Sequence, residues 1–132
     1  MQTQNDPAAT PWGSGAPGGE ATARVRAEGD RALVCVLQGE LDIESLAAAR
    51  RALTEAVARS VPVLVVDLHD VGFCDSTGLN LLLRTRTAAV AAGTDFRLAA
   101  PSPAVLRLLE ITGADSVFSL HPSLDDALNP AP

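Results

Sequence analysis

The chain contains no lysine and no tyrosine, and it has one tryptophan, three phenylalanines and two cysteines in 132 residues. Each shortage excludes something. Without lysine there is no amine nucleophile for Schiff-base chemistry and no G-x-x-x-x-G-K-[ST] phosphate loop. Cys35 and Cys74 each lie in or beside an apolar segment. They read as buried thiols of a reducing compartment rather than a disulfide framework. Together with His69 and His121 they have no ligand spacing, so no metal is expected. No stretch approaches the ~20 apolar residues that span a membrane. Met1-Gln2-Thr3-Gln4 lacks the basic start and apolar sequel of a signal peptide. The expected location is the cytoplasm, away from the membrane. A formal net charge of −6 argues against direct binding to nucleic acid.

What is present is aliphatic. Apolar residues make up 47% of the chain and charged residues 20%, a globular balance. The length suits one domain. Residues 1–22 are rich in Pro, Gly, Ala and Ser and read as a disordered tail. Within it, Gly13-Ser14-Gly15-Ala16-Pro17-Gly18 matches G-x-G-x-x-G literally. It fails as a nucleotide site, because no strand precedes it and no helix follows. Trp12 is the tail's one large apolar side chain. The domain is placed at 23–128, with residues 129–132 as a frayed end.

Periodicity orders the domain. Ala23 to Glu28 and Leu33 to Leu37 predict two strands around a turn at Gly29-Asp30. Glu40 to Ser45 leads into a helix with Leu46, Leu53 and Val57 on one face. Val63 to Leu68 is a β-branched strand, and a helix follows from Ser76 to about Ala92, facing inward through Leu79, Leu82, Leu83 and Val90. Phe96 to Ala99 is the next strand. A helix capped by Ser102, with Pro103 in its first position, ends at Gly113. Val117 to Leu120 and a short helix with Ser123 and Asp126 as its capping box complete the pattern. Alternating strands and helices predict an α/β fold with a mixed, mostly parallel sheet.

The chain is organised around Phe73-Cys74-Asp75-Ser76-Thr77-Gly78-Leu79, where a strand becomes a helix. Asp75 and Ser76 are both candidate N-caps. Ser76 is also a hydroxyl placed where added negative charge is tolerated, because a helix start has free N–H groups and a favourable dipole. Gly78, in the first turn, costs about 1 kcal/mol against Ala, which suggests the close approach of another backbone.

These residues resemble the STAS domains of anti-sigma factor antagonists. The likeness is carried by Gly39-Glu40-Leu41-Asp42, by Val65-Val66-Asp67-Leu68 running into Asp75-Ser76-Thr77-Gly78-Leu79, and by Pro101-Ser102-Pro103 with Leu109-Glu110-Ile111-Thr112-Gly113. It spans about Ala23 to Leu128, and the Asp-Ser-Thr-Gly-Leu element is its most specific part. Cys74 and His69 depart mildly from the usual pattern. The resemblance implies helices mainly on one face of the sheet and a regulator rather than an enzyme. It implies phosphorylation of Ser76 by a partner that is both an anti-sigma factor and a GHKL-type serine kinase, and a PP2C-type phosphatase that reverses it. Asp42, Asp75, Ser76, Thr77 and Gly78 are then the expected partner surface, with no cofactor.

Other readings of the same residues are a STAS scaffold or transporter-associated subunit without a sigma-factor role, and a small hydrolase using Ser76 with His69. A receiver domain with Asp67 as phosphoacceptor would need a lysine that the chain lacks.

Overall fold

The computed structural model describes residues 21–130. Most of the tail expected over 1–22, including Trp12, lies outside the described residues. Its last two residues belong to the fold instead: Ala21 is buried and Thr22 opens the first strand.

The elements run β1 (Thr22–Glu28), β2 (Ala32–Leu41), α1 (Ala47–Ala58), β3 (Val63–Cys74), α2 (Ser76–Ala91), β4 (Asp95–Ala99), α3 (Pro103–Thr112), β5 (Ser119–His121) and α4 (Leu124–Leu128). The five strands form one sheet in the order β1-β2-β3-β4-β5. β1 pairs antiparallel with β2, and the remaining neighbours are parallel.

Strand alternation divides the core between two faces. Leu33, Cys35 and Leu37 of β2, Leu64, Val66 and Leu68 of β3, and Phe96 and Leu98 of β4 face the larger cluster. There they meet Leu53 of α1, Leu79 and Leu82 of α2, and Val105 and Leu109 of α3. Val34, Val65 and Ala99 point the other way, onto Ala127 of α4 and its neighbours Leu124 and Leu128. Three helices therefore cover one face and a short fourth covers the middle of the other. Full burial of each Leu or Val contributes roughly 1.5–3 kcal/mol, so the aliphatic core compensates for the shortage of aromatic rings.

The caps expected at Ser102 and Ser123 and the stop at Gly113 are found, but among the described residues no bond from the Ser123 amide to the Asp126 carboxylate completes the capping box. Ser102 accepts from the Val105 amide at 3.4 Å, Gly113 closes α3 at φ 77°, and Ser123 accepts from the Asp126 amide at 3.0 Å. Among the described residues no helix is long and apolar enough to cross a membrane.

Three expectations needed correction. β2 and β3 run well past Leu37 and Leu68, pairing Gln38 with Asp70, Gly39 with Val71, Glu40 with Phe73 and Leu41 with Cys74. Register shifts after Val36 and after Gly39 interrupt the apolar alternation there. Cross-strand pairing sustains the strands where the local pattern fails. The last strand is Ser119–His121, because a 3₁₀ turn at Ala114–Ser116 displaces its start and leaves Val117 exposed. Val90 is exposed too, since the phase of α2 puts Ala89 inside instead.

Cys35 and Cys74 are free and buried. Desolvation pushes each thiol up to about 12, and the charge of Asp75 adds to the effect at Cys74. Thiolate is the reactive form, so a thiol reagent near neutral pH should label the folded protein far more slowly than the unfolded chain. A reducing agent should leave Tm unchanged. Rapid labelling in the native state would contradict the burial of these groups.

Candidate functional site

β3 and α2 are joined by a single residue, Asp75, whose extended backbone (φ −105°, ψ −170°) turns the chain from strand to helix. Its carboxylate is the N-cap. One oxygen accepts from the amides of Thr77 at 2.9 Å and Gly78 at 3.1 Å, and also from the Thr77 hydroxyl. The Asp75 amide donates to the carbonyl of Leu41 at the end of β2, at 3.2 Å. The Asp75 carboxyl is held below the usual carboxylate range, chiefly by the Thr77 hydroxyl; desolvation opposes this, and the amides of Gly78, Thr77 and Ile43 lower it further.

Ser76 is therefore not the cap. It occupies the first helical position and is exposed, and its hydroxyl makes no hydrogen bond to another described residue. The adjacent Thr77 hydroxyl is committed to Asp75. Of two neighbouring hydroxyls, one holds the turn and the other is left for solvent. Four amides at a helix start lack intrahelical partners. Asp75 engages two of them.

Gly78 is buried. A Cβ there would collide with the Leu41 carbonyl and stand 2.8 Å from both Cys74 Sγ and Leu41 Cβ. The close approach inferred from this glycine is thus to the chain's own β2. Gly78 seats α2 and is not itself a contact surface.

Asp42 follows β2 and is half-buried. Its carboxylate accepts from the Glu44 amide at 3.1 Å and its carbonyl from the Ser45 amide at 3.1 Å. It shapes the loop into α1, and that loop presents Ile43, which is 75% exposed. Phe73, one residue before Cys74, is 47% exposed. The pairing of Leu41 with Cys74 brings the two segments together, so two large apolar side chains stand near Ser76. Sequence reasoning missed both. The available signals were an isoleucine between two acids, Asp42 and Glu44, and a phenylalanine beside Gly72.

His69 is not part of this site. It is exposed and its Nδ1 lies 2.9 Å from Asp70. The Asp70 carboxyl is lowered by its bond from Gln38 and then by His69. The strand from His69 to Cys74 rises about 3.3 Å per residue, which puts roughly 17 Å between His69 and the end of β3, beyond which Ser76 begins α2. The Ser–His pairing required by the hydrolase reading is therefore absent.

The cap yields a prediction. Asp75→Ala should cost about 0.5–2 kcal/mol, while Asp75→Asn, which still accepts a hydrogen bond, should cost less. Because the folded pKa of Asp75 is depressed, its ionised form contributes stability above the unfolded pKa of about 3.9, and that contribution is lost as pH falls through the folded pKa. Denaturation curves between neutral and strongly acidic pH should show wild type losing more stability than Asp75→Asn. Parallel losses would mean that the carboxylate charge contributes nothing.

A sequence model of the STAS domain matches residues 24–127. The chain is 34% identical over 95 residues to the anti-sigma-F factor antagonist RsfB of Mycobacterium tuberculosis, covering 72% of this chain and 77% of that protein. Its fold is similar to the crystal structure of an anti-sigma factor antagonist from Mycobacterium paratuberculosis, with 36% identity, 83% of this chain and 92% of the other covered, and a TM-score of 0.76. The unphosphorylated form of SpoIIAA shares the fold at 21% identity and a TM-score of 0.68, with 82% and 94% of the two chains covered. A strand-to-helix turn of this geometry, set in a mixed sheet with helices mainly on one face, thus agrees with the matched sequence, and the chain belongs to the STAS domain family.

Proposed function

We propose that this chain is an anti-sigma factor antagonist switched by phosphorylation of Ser76. In its unmodified form it binds an anti-sigma factor that is also a GHKL-type serine kinase, and a sigma factor is released. Phosphorylation of Ser76 ends that binding, and a PP2C-type phosphatase restores it. The protein acts in the cytoplasm as a binding module and catalyses nothing itself.

The observation that carries this reading is the division of labour between Ser76 and Thr77. One hydroxyl is exposed and uncommitted on a capped helix start, and its neighbour is locked to Asp75. Phosphate adds about −1.5 to −2 charge near neutral pH. The helix dipole and the one amide at the helix start with no partner among the described residues, that of Ser76, favour that charge, so α2 stays folded and the effect falls on the interface. A kinase brings nucleotide phosphates up to the hydroxyl it modifies. One like charge at about 5 Å, at an effective dielectric near 20, costs roughly 3 kcal/mol. That is about a hundredfold in affinity, enough to exchange partners without refolding. In this reading Asp75, Thr77 and Gly78 hold Ser76 in place, Asp42 shapes the loop beside it, and Ile43 and Phe73 supply apolar contact.

Intact-mass analysis after incubation with a candidate kinase and ATP tests the proposal. One added phosphate, absent from Ser76→Ala, is the expected result. A phosphate retained by that variant would place the switch elsewhere. No phosphate with any kinase to which the protein binds would favour a STAS scaffold instead.

A further inference from the structure

α1 and α2 lie side by side on the sheet and leave a groove of about 360 Å³ between them. Leu46, Leu53 and Val57 form one wall at helical spacing, and Leu81 and Ala88 contribute to the other. Each wall carries one arginine, Arg50 from α1 and Arg84 from α2. The upper mouth is formed by Ile43 and Thr77, beside Ser76.

The charge in this groove opposes that of the molecule. The chain carries 16 Asp and Glu against 10 basic residues, yet no carboxylate lines the groove. Among the described residues the ion pairs are made by Arg26, His69 and Arg97, so neither Arg50 nor Arg84 has an acidic partner. Two guanidinium groups without an acidic partner among the described residues, beside apolar lining from Ile43, Val57 and Ala88, select a ligand that is both anionic and apolar, because guanidinium favours a carboxylate or similar planar anion. The volume falls within the ~300–1,000 Å³ typical of small-molecule sites. At the ~30 Å³ that a water molecule occupies in the liquid, it holds about a dozen non-hydrogen atoms.

We infer that the α1–α2 groove is a binding site for a small amphiphilic carboxylate, with its acid group between Arg50 and Arg84 and its hydrocarbon chain along the apolar lining of Ile43, Val57 and Ala88. A saturated ten-carbon acid has the right size. The inference rests on the chemistry of the groove and holds whether or not Ser76 is phosphorylated.

The test is titration of the full-length protein with decanoate, followed by ¹H–¹⁵N spectra. Saturable shifts are expected at millimolar concentration or below, centred on the amides of α1 and of Asn80 to Ala88. Arg50→Glu/Arg84→Glu changes two exposed side chains and should weaken binding at least about tenfold. Thr54→Trp, which keeps both arginines but fills the groove, should also abolish it. Decyltrimethylammonium, with the same chain and the opposite charge, should leave these amides unmoved. Equal shifts from both amphiphiles, undiminished decanoate binding by the double arginine variant, or shifts centred elsewhere would overturn the inference.

Discussion

Ser76→Ala should bind the partner kinase with the same affinity in the presence and absence of ATP, whereas ATP should weaken wild-type binding about a hundredfold. The substitution removes an exposed hydroxyl that makes no hydrogen bond to another described residue. The cap, Asp75, is untouched. Stability should therefore change by no more than about 0.5 kcal/mol, as at an ordinary surface position, and not by the cost of a lost cap. The contrast separates a switching role from a structural one. Ser76→Asp should weaken binding by less than phosphorylation does, since a carboxylate carries one charge and fewer acceptor oxygens. Affinity measured with and without ATP for all three proteins decides the matter. If ATP weakens binding of Ser76→Ala as much as that of wild type, the phosphoacceptor is another residue.

The second large effect is expected at Gly78. Alanine there gains about 1 kcal/mol in helix propensity, so an exposed helical glycine would be stabilised by the change. Here the added Cβ meets the Leu41 carbonyl and the Cys74 sulfur. Backbone and a buried thiol cannot yield as the tip of a flexible side chain can. Overpacking of this kind costs about 1–3 kcal/mol. Net of the propensity gain, Gly78→Ala should cost up to about 2 kcal/mol and lower Tm by about 4 °C for each kcal/mol lost. Because α2 must lift from β2 to relieve the contact, the turn that presents Ser76 should move with it, and phosphorylation of Ser76 should slow. An unchanged or raised Tm would show that α2 shifts freely, and the close-packed account of Gly78 would fail.

The legible parts of this structure are those governed by near neighbours in the chain. The helix start at Ser76, the caps at Ser102 and Ser123, and the stop at Gly113 each depend on a few consecutive residues. What stayed hidden depends on residues far apart in sequence. Asp75 and Ser76 were equally good caps by type, and the choice is set by the bond from the Asp75 amide to Leu41, which holds the turn one residue earlier. The obstacle above Gly78 comes from β2. The extensions of β2 and β3 follow from their pairing across register shifts that no local periodicity reveals. Ile43 and Phe73 looked like ordinary apolar residues, and only the assembled ends of β2 and β3 show that they stay exposed among the described residues.

The one-residue link between β3 and α2 also sets the tolerance of this region to changes in length. Each residue turns an α-helix by roughly 100°. Inserting or deleting a single residue between Cys74 and Ser76 would swing Leu79 and Leu82 off the sheet or move Gly78 away from Leu41. At the turn between β1 and β2, Gly29 has open space around it and the paired strands end on either side, so extra residues there would extend into solvent. Variation in length among related chains should therefore gather at the hairpin and be excluded from the turn that carries Ser76.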